Sequence, residues 1–291
     1  MMTPWSVDSE YGVLRDALLC RPDHYHWVPE ANAVIQSTVA AGTTFDATAA
    51  RRQHDELVAA LQDAGVNCHF LEPDPHLPYQ VYTRDSSLVT PWGAVLLQCQ
   101  RPERRGEWYP ALRGLREAGL SLLWAITAGP LEGGDIQILR PGLLLIGVNG
   151  NRSHQQSAGQ LQGWFQERNW RVRLVPFPAH FLHLDLVFCM VAEKLALAFE
   201  EALDEPTRQW LDAEGIQRIP LSYRETMTMG GNVVALGNDR VLSSAQHPAV
   251  NQRLRAAGLT VYDPDLEMFV HEGGAAHCLT LALRRESVGG G

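Results

Sequence analysis

Five apolar stretches recur along this chain at an interval of about fifty residues, and each is opened by a polar residue. They are YTRDSSLVTPWGAVLLQ, LEGGDIQILRPGLLLIGV, HLDLVFCMVAEKLALAF, MGGNVVALGNDRVL and HEGGAAHCLTLAL. The openers are Asp85, Asp135, Asp185, Asn232 and Cys278, with separations 135−85=50, 185−135=50, 232−185=47 and 278−232=46. A fixed interval of this length marks one supersecondary unit used repeatedly, and such units bury their apolar faces on their neighbours.

A second series runs between the openers. LQDAGVNCHFLE, LREAGLSLLWAI, FQERNWRVRLVPF, LDAEGIQRIPLS and LRAAGLTVYDPD each read as a helix end feeding a short strand. Gly65, Gly119, Gly215 and Gly258 fall where a helix terminates in a left-handed residue, and Asn169 stands in for glycine in the third copy. Upstream, residues 47–64, 104–118, 156–168, 205–214 and 246–257 carry apolar side chains at helical spacing, as in Leu57 and Leu61. Turn signals at Pro91-Trp92-Gly93, Arg140-Pro141-Gly142, Ala192-Glu193-Lys194 and Gly237-Asn238-Asp239 divide four of the stretches into hairpins. Each unit is therefore hairpin, helix, strand. The fifth has one strand at 278–283 before the chain ends, and residues 13–19 form an orphan strand at the other terminus. Pairing those two closes a ring, which predicts a single α/β catalytic domain over residues 1–291.

Composition narrows the partners. A net charge of −9 argues against nucleic acid or an anionic membrane surface, both of which select basic patches. No apolar run reaches membrane-spanning length, and MMTPWSVDSEYG lacks a basic and apolar leader, so a cytoplasmic enzyme is expected. The outer helices of a closed ring are free to pair as a homo-oligomer. Cys20, Cys68, Cys99 and Cys189 lie in apolar runs and read as reduced structural thiols, whereas Cys278 follows Gly273, Gly274 and His277. The terminal Gly289, Gly290 and Gly291 read as a flexible end.

Any single opener is explained by turn capping, since Asp and Asn often begin hairpins. A ring brings all of them to one axis. Cys278 is then the natural nucleophile, and His183 the nearest candidate for proton transfer at neutral pH, with His180 and His277 as competitors. A protonated neighbour is expected to lower the thiol pKa. Glu132, Asp85, Asp135 and Asp185 gathered at one point repel each other unless a cation sits among them. A guanidinium fits, being planar and able to meet paired carboxylates bidentately. Zinc is the rival, on His271, Glu272, His277 and Cys278 or on His180, His183 and Asp185, although neither set has a strong zinc spacing.

TRD (Thr83–Asp85), EGGD (Glu132–Asp135), HLD (His183–Asp185) and GGAAHC (Gly273–Cys278), in that order, resemble the guanidine-modifying superfamily, or penteins. It includes arginine and agmatine deiminases, dimethylarginine dimethylaminohydrolases and amidinotransferases. The resemblance implies a five-bladed pseudo-symmetric α/β propeller of ββαβ units around a central site, with no metal and no cofactor. It also implies that Cys278 forms a covalent thiouronium, that His183 protonates the leaving amine and then activates water, and that Glu132 orients substrate and shuttles protons. Asp85 and Asp185 would grip the guanidinium, with Asp135 supporting the Glu132 loop or joining them. Arg104 in RRGE and Arg152 in GNRSHQQ resemble arginines that meet a substrate carboxylate, although Ser153 and His154 depart from the family's Thr and Asn.

The chain lacks the added helical module of arginine deiminases. Its Asp185 and His277 depart from the dimethylaminohydrolase pattern. The expectation is a hydrolase of a small guanidino compound, releasing ammonia or an amine. An amidinotransferase and a zinc hydrolase are the alternatives.

Overall fold

A computed structural model describes residues 5–289, so Gly290 and Gly291 of the expected flexible end lie outside the described residues. Among those described, the strands form five three-stranded sheets with one repeated topology. In the first blade, Ser87–Thr90 pairs antiparallel with Gly93–Leu96, which pairs parallel with Leu122–Ala125 after the helix Trp108–Glu117. The second (Ile136–Arg140, Leu143–Val148, Arg171–Pro176), third (Phe188–Ala192, Leu195–Ala198, Gln217–Pro220) and fourth (Val234–Gly237, Arg240–Leu242, Thr260–Tyr262) repeat it. The fifth is assembled from both ends of the chain. Leu14–Cys20 pairs antiparallel with Leu281–Arg285 and parallel with Asn67–Leu71. The result is a five-fold pseudo-symmetric α/β propeller.

The local reasons are those in the sequence. Asn238 and Asp239 take φ of 53° and 55°, the twist that a two-residue hairpin loop requires. Each blade helix ends on a left-handed residue, with φ of 81° at Gly65, 83° at Gly119, 61° at Asn169, 73° at Gly215 and 92° at Gly258. The first strands of the second and third blades are almost wholly buried, which accounts for their continuous apolar runs.

Three local differences matter for the site. The helix expected over 104–118 begins at Trp108, because Pro102–Arg104 makes a separate 3-10 turn that carries Arg104 and Glu107 inward. HLD opens a short helix, Leu184–Val187, before its strand starts at Phe188. Residues 21–40, which carry no helix signal in the sequence, contain the helix Ala33–Ala40, started by Asn32, whose side-chain oxygen accepts from the amides of Val34 and Ile35. Its β-branched residues mask it in the sequence. No helix among the described residues is long and apolar enough to cross a membrane.

Candidate active site

The openers meet at the inner ends of the blades, and much of what they do there is clasping. Oδ1 of Asp85 accepts from the Gly134 amide at 3.0 Å, and Oδ1 of Asp135 from the Leu184 amide at 2.7 Å. Oδ1 of Asn232 accepts from the amides of Ala275, His277 and Cys278, each at 3.1 Å. Short polar side chains satisfy such stray backbone donors well. Each clasp ties one blade's opening loop to the next.

A tight pocket with about 20 Å³ of free space opens above this junction, lined by Cys278, His183, Asp85, Arg104, Arg152 and Glu272 among others. His183 Nε2 lies 2.6 Å from Glu132 Oε2, and Nδ1 lies 3.8 Å from Asp85 Oδ1. The contact requires the glycines of EGGD: a Cβ on Gly134 would stand 2.7 Å from His183 Nδ1, and one on Gly133 would stand 2.0 Å from the Arg84 carbonyl oxygen. The Cys278 sulfur, a His183 ring nitrogen and an Asp185 oxygen lie within 4.8 Å of one another. Asp185 Oδ2 is 3.8 Å from the sulfur and 2.7 Å from His277 Nδ1.

Charge states follow from this crowding. Burial works against a charged imidazole, but Asp85, Asp135 and Glu132 outweigh it and hold His183 protonated, well above the usual range. Burial also opposes ionisation of Glu132, yet Arg152 and His183 keep its carboxyl well below the usual range. Asp85 is lowered too, with burial overcome by His183 and Arg104. The thiol departs from expectation. Burial, reinforced by the Asp185 carboxylate, pushes Cys278 up to about 12 despite the His183 charge, so the unliganded site holds a neutral thiol at pH 7.

Arg104 requires a correction. It is neither a surface charge nor free for a substrate carboxylate. Its Nε and Nη2 donate to Glu107 at 2.8 and 2.9 Å, and its Nη1 donates to Asp85 at 2.7 Å. These two buried carboxylates, with Glu132 Oε2 at 4.0 Å from Nη1, need a resident cation, and Arg104 is it. Arg152 differs, since among the described residues its guanidinium makes one side-chain ion pair, Nη1 to Glu132 at 3.5 Å. Asp135 does not line the pocket; it lies beneath, fully buried, beside the Ser153 hydroxyl. Of the competing histidines, His180 is exposed and packs on Phe181, and His277 faces Asp185 below the thiol. Cys20, Cys99 and Cys189 are buried and Cys68 is half-buried, and each is a free thiol outside any disulfide.

Sequence reasoning missed Glu107 and the role of Asn232, and it offered Glu272 as a zinc ligand and not as part of the pocket wall. Glu272 accepts from Asn32 Nδ2 at 2.8 Å, and burial pushes it up to about 7. Glu107 had a signal, three residues after Arg104, that went unread because a surface helix also favours such pairs. The zinc sets named from sequence are not assembled. Among the described residues, the donor atoms that cluster belong to His183, Asp185 and Cys278, and to Asp85, Glu132 and His183. His183 Nε2 is already committed to Glu132.

A thiol, an imidazolium and paired carboxylates at the hub of a five-bladed α/β ring define the guanidine-modifying, or pentein, class. Residues 21–285 match the model of the family described as N,N dimethylarginine dimethylhydrolase, eukaryotic, and the chain belongs to that family. It is 30% identical to the Bacillus subtilis (strain 168) uncharacterized protein YkgA, over 95% of this chain and 94% of that protein. It is 26% identical to the bifunctional arginine dihydrolase/ornithine cyclodeaminase ArgZ of Synechocystis over 91% of this chain, spanning only 37% of that longer protein. In fold it is similar to the product-bound N-terminal domain of ArgZ, with a TM-score of 0.81, 24% identity and coverage of 93% and 97% of the two chains. It is likewise similar to a dimethylarginine dimethylaminohydrolase adduct, with a TM-score of 0.74, 19% identity and coverage of 92% and 99%.

Proposed function

We propose that this protein hydrolyses a C–N bond of a guanidino amino acid through a covalent intermediate on Cys278. The observation that carries the reading is the convergence of the Cys278 sulfur with His183, itself paired to Glu132 at 2.6 Å, in one buried pocket. Family membership supports the reaction class, because the related proteins include arginine dihydrolases and arginine deiminases.

The neutral thiol makes the substrate part of its own activation. A guanidinium entering between Asp85 and Asp185 brings positive charge beside the sulfur, and the thiol proton leaves to water. The thiolate attacks the central carbon, forming the C–S bond. The departing C–N bond's electron pair leaves on nitrogen, which takes the proton of His183. Neutral His183 then accepts a proton from water, whose oxygen attacks the thiouronium carbon. The C–S bond breaks and thiolate is released, the adduct's hydroxyl proton returns the sulfur to its resting thiol, and a ureido product remains. Glu132 keeps His183 oriented through both proton transfers, as a buried carboxylate does for a catalytic imidazole. The unspent donors of Arg152 favour a substrate that carries a carboxylate.

Cys278→Ala should abolish ammonia or amine release from a panel of arginine, methylated arginines and agmatine while thermal unfolding stays cooperative; retained turnover would end the proposal. Passage of the amidino group to an added amine would identify a transferase instead. Loss of activity with a chelator but not with iodoacetamide would identify a metal hydrolase.

A further inference from the structure

The fourth opener carries more than a clasp. Asn232 is 1% exposed, and its Oδ1 accepts three amides of the loop that presents Cys278. Those three donors fix the orientation of the side-chain amide, since a flipped group would face N–H with N–H. Nδ2 is thereby turned onto the nucleophile, 3.2 Å from the Cys278 sulfur. Further polar neighbours of the sulfur are the Asp185 carboxylate, which repels a thiolate, and the His183 ring.

We propose that Asn232 is a thiolate-holding residue: its Nδ2–H donates to the sulfur and lowers the energy of the ionised nucleophile, while its Oδ1 fixes the loop. The proposal rests on the reading of Cys278 as nucleophile. The Asn232 donor is fixed in place before reaction and does not move with the proton, whereas His183 must give up its charge during turnover. It therefore holds the sulfur at both ends of the cycle, when thiolate attacks and when thiolate is expelled. A hydrogen bond to an ion is stronger than one to its neutral form, so this donor favours S⁻ over SH.

The test is the rate at which iodoacetamide modifies Cys278 at a fixed pH between 8 and 9, a pH range chosen to lie below the thiol's about 12, read on the Cys278 peptide by mass spectrometry. Asn232→Ala should slow modification by about three- to tenfold, the lost thiolate fraction being partly offset by higher intrinsic nucleophilicity. A purely structural clasp predicts the opposite sign, because a loosened loop exposes the sulfur and speeds alkylation. An unchanged or faster rate would overturn the proposal. If that variant does not fold, the intact protein labelled with ¹⁵N-asparagine supplies the measurement. One side-chain NH₂ pair should shift when Cys278 is alkylated and be displaced in Cys278→Ser; no responding pair would overturn the proposal equally. Neither readout uses a guanidine, so they stand or fall separately from the hydrolytic reaction, which Cys278→Ala tests.

Discussion

Asp135→Asn separates a substrate contact from a clasp, and its effect on stability has a sign that depends on pH. Asp135 is fully buried, and its Oδ1 takes the Leu184 amide. Burial pushes its carboxyl up to about 7 from 3.8, with the His183 charge only partly offsetting that. Below about 3.8 the group is neutral whether the chain is folded or not, and it contributes nothing to pH dependence. Between the two values the unfolded chain ionises while the folded one keeps its proton, so stability falls as pH rises, and the loss is complete above about 7. Asparagine preserves the acceptor for Leu184 and removes the titration. Integrating between pH 5 and pH 8, the variant should gain ~2–3 kcal/mol relative to the parent. That corresponds to a relative rise of roughly 5 °C in melting temperature for a chain of this size. Melting curves of both proteins at pH 5, 6, 7 and 8 measure the gain, and guanidine turnover at pH 7 measures the contact. A melting difference that stays flat across pH would refute the buried-acid argument. A KM raised more than about tenfold would restore Asp135 to the substrate.

Arg104→Ala should lower stability by ~3–5 kcal/mol, because Glu107 and Asp85 would remain buried without their cation; chemical denaturation reads the loss, and a change below ~1 kcal/mol would show the cluster relaxes into water. Arg152→Ala should raise KM at least tenfold for arginine while changing that for agmatine, which has no carboxylate, by less than about threefold; equal effects on both would mean that Arg152 acts through Glu132 alone. Iodoacetamide inactivation should accelerate when guanidinium chloride is present at non-denaturing concentration, since the cation lowers the thiol pKa from its raised value; protection without any acceleration would refute activation by the substrate's charge.

How much of this was legible depends on the range of the interaction that sets it. The ring was legible because turn chemistry is local: Gly93, Gly142 and the Asn238–Asp239 pair mark hairpins wherever they occur, and Gly65 or Gly258 ends a helix by its own backbone freedom. The convergence of openers followed from the interval alone. Their division of labour did not. Asp85, Asp135 and Asp185 are one residue type at one interval, yet the first is ionised beside Arg104, the second is pushed up to about 7, and the third meets His277. Those differences are set by neighbours 19 to 92 residues away, which no interval encodes.

Arg104 illustrates the limit. In sequence it sits in a charged surface-like run, RPERRGEW, and reads equally as solvated or as waiting for a substrate. What fixes it is a charge balance at the hub: Asp85, Glu107 and Glu132 bring three acids to a place where water is scarce, and each clasp that knits the blades adds another oxygen. A ring built by turning acidic hairpin openers inward accumulates negative charge at its centre as a consequence of how it closes. The protein neutralises part of that charge permanently with Arg104 and, on one side, Arg152. The uncompensated remainder around Cys278, chiefly Asp185, adds to burial in raising the thiol pKa and awaits a cation. Architecture and selectivity for a guanidinium thus share an electrostatic cause, and the neutral resting thiol expresses it together with burial.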